Sequence, residues 1–445
     1  MKSITFENLP YYGTKRGNGV NIWRLGLFLV WVIAVTWAFS VFIFGTPNSF
    51  SKVMSKQKYS LKKNITYNDE LELRNNTVSY RNDITQTTAV NPEKESDYEN
   101  CDLFKGRWIP ELNGPLYTNW SCSTIPESKN CQLNGRKDVD YMNWKWKPDD
   151  CELQRFDAKK FLSIVRGKKL AFIGDSVARN QMESLLCLLS QGEIPKDIYK
   201  DYEDRFRIFY FPAHDFTLTV FWTSFLVDGE DKGIINGSTT NVFHIHLDKI
   251  DVNWAQKLPG VDYAVISIAH WYFRKNYLYE GGQLIGCTYC NEPDVPDLGI
   301  PFAVGKVFEH VLKYINDCKE CNEDLLTLVR TFAPAHFENG YWHGGGVCNR
   351  TSPYTEEQVN FASSEWELRS SQVNAFEKYK NTTTEGKRVE ILDITRAMMM
   401  RPDGHPGPNW KDQYGQNHHD CLHWCLPGPI DIWNDLFTAV LQKIV

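Results

Sequence analysis

The sequence predicts an α/β fold on a mostly parallel β-sheet, preceded by a small cysteine-rich lobe and one membrane-spanning helix. Three observations carry this. Strand-like and helix-like signals alternate from residue 168 to residue 394, the pattern of parallel strands joined by helical crossovers. All 12 cysteines fall at or after Cys101. An uncharged apolar run fills positions 25–45.

That run reads LGLFLVWVIAVTWAFSVFIFG. At helical rise it spans about 30 Å, the thickness of a bilayer's hydrocarbon core. It is long for a signal peptide and lacks a small-residue cleavage site, so a retained anchor is expected. Lys2, Lys15, Arg16 and Arg24 precede it, while Lys52, Lys56, Lys58, Lys62 and Lys63 follow. Charge alone therefore does not orient it. The cysteines all follow the run, as do Asn-x-Ser/Thr acceptors at Asn64, Asn75, Asn119, Asn236, Asn349 and Asn381. Both features belong to an oxidising lumen. We expect a cytosolic tail (1–24), a signal anchor (25–45) and a lumenal remainder, which makes a single-pass type II protein. Residues 46–100 are rich in Lys, Asn, Ser, Thr and Glu. They bury little apolar surface and read as a flexible stem.

Residues 101–153 carry CDLFKGRW, TNWSC and MNWKWKPDDC and read as a loop-rich, disulfide-stapled lobe. An even cysteine count in a lumenal chain predicts a disulfide framework whose connectivity is open. Metal is the rival reading. The pairs Cys287/Cys290 and Cys318/Cys321 resemble a zinc ribbon, and His418, His419 and His423 are possible ligands. Residues 154–445 form the main domain. Strands are predicted at 168–173, 217–222, 263–268, 326–332 and 389–394, and helices at 178–190 and 302–316. The net charge of −6 over 445 residues forces no basic patch, so nucleic acid is excluded as a partner. Aromatic residues make up 14% and include 15 Trp; flat rings of this kind suit sugar faces.

Two places bear chemistry. In FIGDSVARNQ (172–181) an apolar strand ends at Gly174 and Asp175, and Ser176 opens a helix. Sites in α/β sheets form at the carboxyl ends of strands. A helix N-terminus there offers free N–H groups to an oxyanion. The plainer reading makes Asp175 or Ser176 an N-cap. Near the C-terminus, HHDCLHWC places Asp420 three residues before His423. A serine nucleophile needs a base, and the base needs a carboxylate to fix its tautomer. Ser176, His423 and Asp420 supply the three roles, and Cys421 and Cys425 are placed to staple the loop.

These segments, together with ISIAHWYF (266–273), VRTFAPAHFENGYWHGGGVC (329–348) and RPDGHPGP (401–408), resemble the plant trichome-birefringence-like proteins. The resemblance runs from Cys101 to the C-terminus. It implies a three-layer α/β/α sandwich like that of the SGNH (GDSL-like) esterases. It also implies a Golgi-membrane O-acetyltransferase of wall polysaccharides, with a triad of Ser176, Asp420 and His423. Gly174, Asp175, Arg179, Ala269, His270, Trp271 and Trp424 are then expected around the oxyanion and substrate. Ala269 stands where the family commonly has Gly; it keeps the N–H that an oxyanion needs. The third oxyanion donor of ordinary SGNH hydrolases, an Asn, has no obvious counterpart here, and Arg179 is a substitute source of charge. Trp271, Tyr272, Trp342 and Trp424 are candidate walls of an acceptor cleft. The lobe and FWTSFLV (221–227) most resemble the subgroup acting on xyloglucan and mannan. The implied partners are a hemicellulose acceptor (xyloglucan first, then mannan or xylan), an acetyl donor and the Golgi membrane. No cofactor is implied beyond the donor, either acetyl-CoA or an acetylated intermediate. A polysaccharide acetyl esterase with the same triad and a non-catalytic wall-glycan-binding protein are the competing readings.

Overall fold

The computed structural model describes Tyr98 and residues 100–444, apart from 232–233, 236–237, 343, 384–385 and 411–417. The expected tail, the anchor and nearly all of the stem lie outside the described residues. No described helix is long and apolar enough to cross a membrane.

In chain order the elements are β1 (Gly106–Pro110), β2 (Trp144–Pro148), α1 (Ala158–Ile164), β3 (Lys169–Gly174), α2 (Ser176–Ser190), β4 (Lys196–Lys200), β5 (Phe206–Phe211), β6 (Phe216–Trp222) and β7 (Val227–Asp231). There follow β8 (Phe243–Ile250), α3 (Val252–Ala255), β9 (Tyr263–Ser267), β10 (Asn276–Glu280), β11 (Gln283–Thr288), α4 (Gly299–Asp317) and β12 (Leu326–Arg330). The chain closes with α5 (Ser364–Thr382), β13 (Arg388–Leu392), α6 (Thr395–Met399) and α7 (Ile432–Ile444).

The main sheet has seven strands in the order β13-β12-β9-β3-β6-β5-β4. The five from β13 to β6 run parallel, and β5 and β4 turn back antiparallel at the edge. β3 lies at the centre and is buried on both faces. Leu170 and Phe172 point into one core, Ala171 and Ile173 into the other. That explains why strands of this kind read as continuous apolar runs. On the first face α2 and α7 pack with α1; on the second lie α4 and α5. In α4 the buried positions Ile300, Ala303, Val304, Val307, Phe308, Val311, Leu312 and Ile315 form one stripe at helical spacing.

The predicted strands and helices are all present, with ends shifted by one to three residues. What the sequence reading omitted is a second sheet, β11-β10-β8-β7, of mixed direction. Its β8 and β10 strands bury Phe243, Ile245, Leu247 and Leu278 against the second core.

All 12 cysteines are paired. Only Cys101–Cys151 closes within the lobe. Cys122–Cys187 and Cys131–Cys425 tie the lobe to α2 and to the C-terminal loop, and Cys348–Cys421 ties that loop to the 337–348 segment. Cys287–Cys290 and Cys318–Cys321 each close on themselves. This corrects the zinc alternative, because a disulfide sulfur offers no thiolate to a metal. The cluster Cys348, His419 and Cys421 fails for the same reason.

Candidate active site

The site is built where β3 ends. At Gly174 the sheet leaves no room for a side chain: a Cβ would lie 1.9 Å from the Ser267 carbonyl oxygen and 3.0 Å from Ala178 Cβ. Glycine therefore lets β3 and β9 stay in register while the chain turns into α2. Asp175 caps the helix, its Oδ1 accepting the Val177 N–H at 2.9 Å. Ser176 is the first helical residue, so its N–H has no intrahelical acceptor.

The C-terminal loop brings the other two groups. His423 Nε2 lies 2.8 Å from Ser176 Oγ, and His423 Nδ1 lies 2.8 Å from Asp420 Oδ2. A carboxylate can only accept, so Nδ1 carries the hydrogen and Nε2 keeps its lone pair for the serine hydroxyl. Asp420 Oδ1 accepts the N–H groups of Leu422 and His423 at 3.0 and 2.9 Å. Burial alone would raise the Asp420 carboxyl. The charge and hydrogen bond of His423 and the two backbone donors outweigh it and hold the pKa at about 2.

Several side chains hold this loop in place that sequence reasoning missed. Asn180, one turn along α2 from the serine and fully buried, accepts the Trp424 N–H at 2.8 Å and donates to the Trp424 carbonyl at 3.3 Å. Asn180 lies among other buried polar residues of α2, Gln181, Glu183 and Ser184, so nothing in its spacing singled it out. His405 Nδ1 donates to the His423 carbonyl at 2.7 Å, and His336 Nδ1 meets His405 Nε2 at 2.8 Å. Burial pushes the His336 pKa down to about 4, and burial together with the neighbouring His336 holds that of His405 well below its ordinary value. Both rings are therefore neutral above mildly acidic pH and act as hydrogen-bonding struts. From the lobe, Arg136 donates to the carbonyls of His405 and Asp403 at 2.8 and 2.6 Å. Lys129 and Glu183 form a buried ion pair at 3.0 Å across the seam.

Most of the remaining expected residues turn toward partners within the protein. Gly174 has a steric role. Asp175 is fully buried, so it caps α2 and does not reach a substrate. Burial alone would raise its pKa; attraction to His270 and Arg330 and the Val177 N–H hold it below the usual range. His270 does not face the serine oxygen: Nε2 donates to the Ala333 carbonyl at 2.9 Å and Nδ1 faces Asp175 at 3.7 Å. Arg179 turns to Asp204, bonding its carbonyl and pairing with its carboxylate at 3.4 Å, so its charge is spent away from the serine. Trp424 is buried against His405, with ring centres 4.1 Å apart, and Tyr272 is buried with its hydroxyl on the Phe225 carbonyl. Neither is a cleft wall. Trp271 is half-buried and meets Trp222 edge-on at 5.5 Å. Trp342 is half-buried beside Trp410 at 5.6 Å. Ala269 lies in the turn after β9, the strand that pairs Ser267 with Gly174. Its backbone has φ 160° and ψ −28°, and its side chain is fully buried.

A serine, an imidazole and a buried carboxylate thus stand in line at the carboxyl end of a mostly parallel sheet, the geometry that serine-dependent acyl transfer requires. The chain belongs to the PC-esterase family, the GDSL/SGNH-like acyl-esterase family found in Pmr5 and Cas1p, which residues 153–440 match; residues 99–152 match the PMR5 N-terminal domain. It is similar to xyloglucan O-acetyltransferase 4 of Populus trichocarpa, with 56% identity over 80% of this chain and 84% of that protein. It is 54% identical to xyloglucan O-acetyltransferase 3 of the same species, over 81% and 90%. It is 48% identical to xyloglucan O-acetyltransferase 2 of Arabidopsis thaliana, over 83% and 87%.

Proposed function

We propose that this protein is an O-acetyltransferase that moves acetyl groups onto hydroxyls of xyloglucan through an acetyl-Ser176 intermediate. The carrying observation is the line from Ser176 Oγ through His423 to Asp420, with both links at 2.8 Å. The names of the similar proteins support the acceptor. His423 Nε2 takes the Ser176 proton as Oγ attacks the acetyl carbonyl carbon of the donor, acetyl-CoA or an acetylated intermediate. Negative charge moves to the carbonyl oxygen, toward the N–H groups of Ser176 and Ala269. The donor's leaving group departs with the proton from His423. A sugar hydroxyl then gives its proton to His423 and attacks the acetyl-serine. The Ser176 oxygen leaves and recovers that proton. Asp420 fixes the tautomer of the imidazole and balances its charge throughout.

In this reading the domain at 154–445 is an SGNH-like three-layer sandwich and 101–153 is a bracing lobe. Residues 46–100 are a stem, and 25–45 anchor the chain in the Golgi membrane with the site in the lumen. Asn349 and Asn381 are exposed, as lumenal glycan acceptors must be.

The test is incubation of the purified protein with acetyl-CoA or a small acetyl ester, with and without xyloglucan oligosaccharide. Acetylated oligosaccharide, located by mass spectrometry and NMR and absent with Ser176→Ala, is expected. Free acetate alone in both arms would make the protein an esterase instead.

A further inference from the structure

β6 ends at Trp222, which pairs with Gly174, two residues before the serine. A 330 Å³ cleft opens there, lined by Arg205, Trp222, Thr223, Asp228 and Asp251 among others. Asp228 belongs also to β7, the edge of the second sheet. Across that sheet Asp228 pairs with His246 and His246 with Tyr279; in the next row Glu230 pairs with His244 and His244 with Tyr277. Alternation puts the intervening residues Ile245 and Leu278 into the second core. These six therefore share the opposite face, where all are half-buried except the exposed Glu230.

The rings on this face form one surface. His244 stacks on Tyr279 with centres 5.3 Å apart and planes 21° apart, and His246 leans on the same ring at 5.1 Å. The Tyr279 hydroxyl meets His244 Nδ1 at 3.1 Å. His246 Nδ1 is buried without a hydrogen-bond partner among the described residues, a polar atom of the kind that awaits a partner.

We propose that this face and the Trp222 cleft are one continuous acceptor track, which carries a neutral polysaccharide chain to Ser176. The inference rests on the acetyl-transfer reading above. Aromatic faces cover the apolar C–H faces of sugar rings, and imidazole and carboxylate edges take their hydroxyl hydrogens. Asp228 and Glu230 repel phosphate and uronate, so nucleic acid and acidic polysaccharides do not fit. With strands about 4.8 Å apart, each row is about 10 Å wide and suits an extended chain better than a single sugar.

The test uses the Ser176→Ala protein, which binds an acceptor without consuming it, in affinity electrophoresis through xyloglucan and in titration with xyloglucan oligosaccharides of increasing length. Adding Tyr279→Ala should weaken polymer binding about tenfold or more and flatten the gain in affinity with length. Asp228→Asn, nearly isosteric, should do the same more mildly and serves if Tyr279→Ala does not fold. Variants with native melting curves that bind polymer and short oligosaccharides as the parent does would overturn the track. Acetyl transfer persisting in Ser176→Ala would instead overturn the functional reading and leave the binding result standing.

Discussion

At His423 the partners on its two nitrogens decide what the ring does. Asp420 fixes Nδ1 as the donor, which leaves Nε2 free to take the Ser176 proton. Asp420→Asn would donate where the carboxylate accepts, favour the wrong tautomer, and lower kcat by about 10⁴-fold, as triads of this kind behave; steady-state kinetics with a small acetyl ester measures it. With its pKa at about 2, Asp420 stays ionised from mildly acidic pH upward and does not shape the acid limb of the pH–rate profile there. Asn180→Ala leaves the buried Trp424 N–H without its acceptor, which costs about 1–3 kcal/mol of stability and loosens the loop that carries His423. A lower melting temperature and a lower kcat together are expected, and an unchanged kcat would show that the clamp is purely structural. The sequence revealed Ser176, Asp420 and His423 because residue type, spacing and family resemblance all converge on them. It did not reveal where Arg179, His270 or Trp424 point. Chain neighbours share a segment, but Asp204, Asp175 and His405, the partners that turn these side chains away, all lie in other segments of the chain.

At the scale of elements, the loop 418–428 has little regular structure of its own. Its position comes from Cys131–Cys425, Cys348–Cys421, the Gly407–Asp420 bridge and the Leu426 N–H on the Lys129 carbonyl at 2.9 Å. Two of these four ties come from the lobe. Replacing both Cys131 and Cys425 by Ser should cost about 2–5 kcal/mol, read as a fall in melting temperature. It should also lower kcat more than it raises KM for a small ester, because the ester itself touches little of the lobe. The strands that position the site were legible because β3, β9 and β12 are buried on both faces and hence continuously apolar. The second sheet was not. Its outer face carries His244, His246, Tyr277 and Tyr279, residues that soften the alternation a half-buried strand normally shows. α5 escaped notice for a related reason: Leu368, Gln372, Ala375, Phe376 and Tyr379 are its buried positions, too polar a stripe to stand out. Disulfide pairing was illegible because partners such as Cys131 and Cys425 are 294 residues apart and meet only once the sheet has formed.

Across the whole molecule, two half-buried carboxyls sit at the seam between the lobe and the main domain, Asp431 across it and Asp435 beside it. Asp431 accepts from Tyr117 at 2.8 Å and Ser184 at 2.5 Å, and Asp435 accepts the Phe156 N–H at 3.0 Å. Burial pushes Asp431 up to about 6; burial and the neighbouring Asp431 charge push Asp435 up to about 7. The unfolded chain ionises both near 3.8, so between about 4 and 7 the native state binds more protons than the unfolded one. Stability from these groups is therefore fully present below about 4 and is lost as pH rises through 6 and 7. The melting temperature of the purified full-length chain should fall between pH 5.5 and pH 8, the reverse of a protein held by ionised carboxylates. Asp435→Asn keeps an acceptor for the Phe156 N–H and removes the charge, so it should raise the melting temperature at pH 8 and flatten the decline. A melting temperature that rises steadily over that range, in parent and variant alike, would mean that the seam does not govern stability. The seam that these carboxyls stabilise also carries Cys131 and Arg136, which reach Cys425 in the loop that presents His423.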